Sequence, residues 1–135
     1  MKRFFLTLIP FISACAGEPP QNIGVTESRL APCPESPNCV SSFDTKAPHS
    51  IKPIKADLEK IEKTLASLNN ANIVNRSNNY MRAEFKSRLM GYVDDVEFLY
   101  DEIENISHVR SASRVGYSDL GTNRRRVEKI RSLVE

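Results

Sequence analysis

Tyr80-Met-Arg-Ala-Glu-Phe-Lys-Ser-Arg-Leu-Met-Gly-Tyr-Val-Asp-Asp-Val-Glu-Phe-Leu-Tyr100 is the stretch that decides the fold class. From Tyr80 to Leu89, Met81, Ala83, Phe85 and Leu89 alternate with Arg82, Glu84, Lys86 and Arg88. A period of two is that of a strand with one face on a core and the other polar. Gly91 marks a turn, and Tyr92 to Tyr100 reads as the next strand, with Tyr92, Val96, Phe98 and Tyr100 on one face. Strands joined by so short a turn pair antiparallel.

Working outward, Asp101 to Asn105 is a second turn, Ile106 to Val115 a further strand and Gly116 to Gly121 a loop. Val127, Ile130 and Leu133 or Val134 then line the apolar side of a C-terminal helix. Upstream, Ala71 to Asn75 is a short strand ahead of the turn Arg76-Ser-Asn-Asn79. Before it, Leu58, Ile61, Leu65 and Leu68 recur at helical spacing behind Asp57, a residue suited to capping a helix. Ile51 to Ile54 offers an additional edge strand. The pattern predicts an α+β fold: a four- to five-stranded antiparallel sheet with two helices packed on one face.

Composition sets the boundaries. All eight prolines fall at or before position 53, so regular elements can run unbroken beyond it. Residues 1–14 read as a signal peptide, 15–31 as a flexible tether containing Gly17, Pro19, Pro20 and Gly24, and 32–135 as a single domain. Within that domain, residues 32–53 are expected to be ordered coil. Subtracting Lys2 and Arg3 of the leader from 19 basic residues leaves 17, against 17 acidic. A neutral domain has no general electrostatic claim on nucleic acid.

The leader has a positive start at Lys2 and Arg3 and an apolar stretch from Phe4 to Ile12, too short to span a bilayer. Ile12-Ser13-Ala14-Cys15 resembles the bacterial lipobox. That resemblance implies cleavage before Cys15 and acyl groups such as palmitate on it. The protein would then sit in the cell envelope, facing the periplasm and anchored by more than one chain. Ala14-Cys15-Ala16 also fits ordinary signal peptidase, and a buried structural cysteine is the plainer alternative. Cys33 and Cys39 remain, close together in a proline-stiffened loop. Their spacing matches neither a C-x-x-C motif nor a zinc knuckle, so a structural disulfide is expected ahead of a redox or metal role.

Three strings carry a resemblance: Cys33-Pro-Glu-Ser-Pro-Asn-Cys-Val-Ser-Ser42, Val93-Asp-Asp-Val-Glu-Phe98, and Arg110-Ser-Ala-Ser-Arg-Val-Gly-Tyr-Ser-Asp-Leu-Gly-Thr-Asn-Arg-Arg-Arg126. The chain resembles the domain-of-unknown-function 1499 family of bacterial envelope proteins and plastid relatives over roughly residues 32–134. The resemblance implies no activity and supplies no catalytic residue.

The third string leads through two glycines into a helix start, where free amides and a positive dipole end suit an anion. Arg124, Arg125 and Arg126 in that first turn disfavour the helix unless something negative offsets them. Asp94, Asp95, Arg110, Arg114, Asp119, Asn123 and Arg124 are therefore expected to form one polar cluster at the junction of the last strand and last helix. Asn123 or Thr122 would cap the helix. Internal pairing with Asp94, Asp95, Glu97 or Asp119 is favoured over a bound phosphate or carboxylate. On a strand Asp94 and Asp95 point to opposite faces, and Asp94, beside Val96 and Phe98, would take Arg110 or Arg114 as partner.

The resulting expectation is a non-catalytic, membrane-tethered domain that binds an envelope protein or an anionic small ligand such as a lipid headgroup. The alternatives are a hydrolase using Asp94 or Ser118 with His108, and a purely structural domain of an envelope assembly. His49 and His108 lack helix-spaced ligand partners, so neither metal nor cofactor is expected. Replacing Cys15 by Ser should leave an uncleaved or soluble product. Detergent-phase partitioning equal to that of the wild type would refute the anchor.

Overall fold

The computed structural model describes residues 16–135; the leader, the lipobox and Cys15 lie outside the described residues. Nine elements follow in order: β1 (Val25–Thr26), β2 (Arg29–Leu30), β3 (Cys39–Ser41), α1 (Leu58–Ala66), β4 (Ala71–Arg76), β5 (Tyr80–Lys86), β6 (Val93–Asp101), β7 (Ile106–Ser113) and α2 (Thr122–Val134). The main sheet has five antiparallel strands in the order β3-β7-β6-β5-β4, and both helices pack on one face. The α+β class, the sheet and its two helices are as the sequence predicts.

The alternation in β5 and β6 sets the two faces. Met81, Ala83, Phe85, Val96 and Phe98 turn toward the helices, where Leu58, Ile61 and Leu65 of α1 and Val127, Ile130 and Val134 of α2 close the core. Burying one such aliphatic or aromatic side chain stabilises by about 1.5–3 kcal/mol. Asp57 caps α1 by accepting the Lys60 N–H at 2.8 Å, as its position suggests.

Three expectations need correction. The fifth strand is β3, beside β7, whereas Ile51 to Ile54 remains coil with a single bridge from Ile54 to Ser107. Pro53 helps to explain this, since it lacks the N–H that a ladder needs. β5 ends at Lys86 rather than Leu89, because the Ser87 hydroxyl accepts the Tyr92 N–H and closes a turn through Arg88–Met90.

The third correction concerns residues 16–31. The sequence reads them as a tether, yet they lie as a strap across the face of the sheet opposite the helices. Hairpin β1–β2 turns through Glu27 (φ 50°) and Ser28 (φ 59°). Leu30 is buried against Tyr80 and Leu99, with Phe43 alongside. The Gly24 N–H donates to Glu97 at 2.7 Å. At the strap's start, Gly17 lies so close to Arg114 and Val115 that an added Cβ would come within 2.9 Å of both side chains.

Cys33 and Cys39 form a disulfide with Cα atoms 5.6 Å apart. It joins the end of the strap to edge strand β3. Replacing both cysteines with Ala should lower stability by about 2 kcal/mol through the loop-closure effect. Denaturant melts of both proteins under non-reducing conditions check this; equal midpoints would refute it.

Candidate functional site

Of the seven residues expected in one cluster, Asp95, Arg110 and Arg114 lie on the strap side of the sheet, Asp94, Asp119 and Asn123 on the helix side, and Arg124 stands apart from both. Asp94 is opposite Ser113 in the β6–β7 register and points toward the helices, whereas Asp95 and Glu97 point toward the strap. A single pleat step separates the two environments.

Under the strap lies a charge layer of three arginines and three carboxylates: Arg82, Arg110, Arg114, Glu84, Asp95 and Glu97. Asp95 is fully buried. It accepts from Arg114 Nε at 2.7 Å and Nη2 at 3.0 Å, and from Arg82 Nη1 at 2.7 Å. Arg114 also holds Glu84 at 2.6 Å. These hydrogen bonds, Asp95's first, outweigh desolvation and push the Arg114 pKa up. Glu97, also fully buried, accepts from the Tyr80 hydroxyl at 2.8 Å, the Gly24 N–H at 2.7 Å and Arg110 Nη1 at 3.3 Å. Burial, and then the Glu97 charge, push the Tyr80 phenol up. The Arg110 Nε has no hydrogen-bond partner among the described residues.

The helix-side cluster is built around Asn123, which is fully buried. Its Oδ1 accepts from Ser111 Oγ and Arg126 Nη1, each at 2.7 Å. Its Nδ2 faces the carbonyl of Asn38 and the side chains of Ser113 and Asp119 at 2.7–3.1 Å. Arg126, rather than the expected Arg110 or Arg114, pairs with Asp94 at 2.5 Å. The Arg126 guanidinium also lies over the Phe85 ring, 4.9 Å from its centroid.

Neither Asn123 nor Thr122 caps α2. The cap is Gly121 (φ 79°), and Asp119 fills the amide cradle from just outside the helix. Its carboxylate accepts the N–H groups of Gly121 at 2.9 Å and Asn123 at 3.0 Å, while its carbonyl takes that of Thr122. Burial alone would raise the Asp119 pKa, but the hydrogen bonds from Asn123 and Gly121 outweigh it and hold it below the usual value. Arg124 joins neither cluster. It donates to the carbonyls of Pro48 and Ser50, each at 2.8 Å, and Arg131 holds those of Lys52 and Pro53 two turns later. Both guanidiniums clasp the 48–53 coil against α2.

The hydrolase constellation is not brought together. His108 pairs with Leu99 on the strap face near the start of β7, Ser118 follows the other end of that strand, and Asp94 is on the helix face. The His108 Nδ1 instead lies 3.2 Å from Ser42 Oγ, and its ring stacks on Phe43 at 4.1 Å. Burial lowers the His108 pKa more than Asp101 and Glu104 raise it.

A cationic recess opens beside α2. A 240 Å³ groove between the end of α1, β5 and α2 is floored by Leu68, Phe85 and Ile130 and rimmed by Arg125, Arg126 and Lys129. Arg126 is neutralised by Asp94, but Arg125 and Lys129 form no ion pair among the described residues. Arg125 donates only to the Leu120 carbonyl at 2.7 Å and to Thr122 Oγ1 at 3.4 Å.

Of these residues, the sequence reading picked out Asp94, Asp95, Arg110, Arg114, Asp119, Asn123 and Arg124; it missed Arg82 and Glu84, named Glu97 only as a possible partner of the helix-start arginines, and missed Ser111 and Lys129. For the first three a signal existed. Opposite charges in matching numbers on one face of adjoining strands mark a paired layer rather than a wet surface.

The chain belongs to the DUF1499 family, proteins of unknown function, whose family model matches residues 29–134. No curated protein and no solved structure matches it.

The Asp119 cap makes a pH prediction. Its folded pKa is depressed, so its stabilisation is present above the unfolded carboxylate value, about 4, and is lost as pH falls through the folded value. Asp119→Asn should cost about 1 kcal/mol at neutral pH, with the difference from wild type shrinking on acidification below about pH 4. Urea melts across pH read it, and a difference independent of pH would refute the assignment. Asp95→Ala removes the buried partner of two guanidiniums, leaving Arg82 and Arg114 to share the partly exposed Glu84, and should cost about 3 kcal/mol in the same assay.

Proposed function

We propose that this protein is an envelope lipoprotein, held to a membrane through Cys15 and facing the periplasm. In this reading its domain is non-catalytic and binds an anionic group at the α2 groove. The observation that carries the reading is an imbalance. Glu84, Asp94, Asp95 and Glu97 are each taken up by arginines, and Asp119 by backbone amides. Arg125 and Lys129 keep exposed charges beside an apolar floor with no acid to neutralise them.

A phosphate or carboxylate in the groove would meet Arg125 and Lys129 from two successive turns of α2, which are neighbours on the helix surface at i, i+4. Arg126, already fixed by Asp94, Ser111 and Asn123, adds a pre-positioned guanidinium at the inner edge. Charge-assisted bonds of this kind are about twice as strong as neutral ones. The apolar floor suits the carbon part of a ligand such as a glycerophosphate headgroup.

Ligand that binds only the folded state raises stability by mass action. Glycerol phosphate should raise the melting temperature of the wild type at fixed ionic strength, and raise that of Arg125→Ala/Lys129→Ala much less. Both residues are exposed, so the double variant should fold. Equal responses in the two proteins would remove the groove as a binding site.

A further inference from the structure

We propose that the end of the sheet carrying the β5–β6 turn and the β7–α2 loop docks on the anionic lipid surface to which the protein is anchored. This rests on the reading of Cys15 as the lipid anchor. Antiparallel pairing places the two loops together: Lys86 is opposite Val93, and Asp94 is opposite Ser113. The Arg114 N–H donates to the Val93 carbonyl at 3.4 Å, closing the junction between them.

This end presents large apolar side chains to solvent. Leu89 is 92% exposed, Leu120 84% and Tyr117 73%, and Met90, Tyr92 and Val115 are exposed beside them. Lys86 and Arg88 flank the first loop and are exposed, without ion pairs among the described residues. Arg125 and Lys129 follow the second. Near this end Glu84, Asp94, Asp95 and Asp119 are all engaged, and the exposed acids are Glu18 beside Gly17 and Glu35 in the disulfide loop. The opposite end has another character: its β6–β7 turn carries Asp101, Glu102 and Glu104 around a single exposed Ile103. Leucine, methionine and tyrosine among lysine and arginine are the side chains that settle at a headgroup boundary, the cations drawn by anionic lipid.

What identifies the occupant is where the strap begins. Gly17 is seated against Arg114 and Val115, with its carbonyl 3.5 Å from Arg114 Nη1. Cys15 precedes it by two residues, which span at most about 7 Å when fully extended. Acyl chains on Cys15 would therefore hold this end of the sheet, and no other, within the headgroup layer. Docking is then an intramolecular step at high effective concentration. A short, seated link leaves little room for a partner protein between this end and the bilayer.

The chain contains no tryptophan, so a single introduced one reports its own surroundings. Leu89→Trp and Ile103→Trp place it at exposed positions on the two opposite ends. The full-length proteins, purified from membranes in detergent, are reconstituted into phosphatidylglycerol-containing vesicles with brominated acyl chains. The expected result is blue-shifted, quenched emission from Leu89→Trp and water-like, unquenched emission from Ile103→Trp. Equal emission from both, while the proteins still float with the vesicles, overturns the docking and leaves the anchor standing. Flotation of Cys15→Ser reads the anchor separately. If that variant floats as the wild type does, the anchor reading fails, and quenching at position 89 still supports docking. A chain that neither floats nor shows quenching overturns both.

Discussion

The Glu97 carboxylate ties the layers of this molecule to one another. It sits on the central strand of the sheet, on the face away from the helices, and is completely buried. One oxygen accepts from Tyr80 of the neighbouring strand and from the Gly24 backbone of the strap, and the other from Arg110 of the strand on its other side. A charge so placed costs several kcal/mol in lost hydration unless partners replace the water. The strap therefore cannot lift away without taking the Gly24 donor from Glu97 and opening its ion pair with Arg110 to water. The disulfide at Cys33 fixes the far end of the same segment, so the strap is held at two points.

The sheet thus has two differently built sides. Toward the helices the chemistry is mainly apolar, with a compact polar hub at Asn123 that joins β3, β7 and the first turn of α2. Toward the strap it is mainly ionic, with a small apolar cluster of Leu30, Tyr80 and Leu99 at one end. Each side satisfies most of its own polar groups. Charges of both signs still face solvent, among them Lys86, Arg88, Arg125 and Lys129 toward one end of the sheet and Glu102 and Glu104 at the other. A neutral net charge conceals this distribution, because it sums buried pairs and exposed charges of both signs.

The fold was legible where hydrophobic periodicity was strong. The alternation at Met81, Ala83 and Phe85 and the helical spacing of Leu58, Ile61 and Leu65 locate the sheet and α1 without reference to anything distant. The strap was not legible, for a local reason. Its hairpin turns through Glu27 and Ser28 with positive φ at both, where Asn-Gly would have been the readable signal. Its ordering also comes from contacts across the sequence, such as Gly24 to Glu97, which composition does not reveal. The polar site was half legible. Residue types pointed to the right stretch, and Asp119 beside a glycine-flanked helix start marked an amide cradle. Strand parity in the sequence already sends Asp94 and Asp95 to opposite faces; which arginine meets each of them depends on packing between distant segments, which the sequence does not show.

That parity also explains what an ionic layer does that an apolar one would not. Buried ion pairs are not a reliable source of stability; well-packed apolar replacements can be as good or better. Register is another matter. A one-residue slip of β6 would carry Asp95 and Glu97 under the helices among Ile61, Leu65 and Ile130, and would turn Val96 and Phe98 toward the strap. No arginine of the strap face could follow them. Arg82, Arg110 and Arg114 would be left without acids in the same movement, and each stranded charge is expensive where water is excluded. The layer therefore makes the wrong pairings costly more than it makes the right one cheap. It also holds the last strand in the one alignment that brings Arg114 alongside Gly17, and so determines the end of the sheet from which the chain departs.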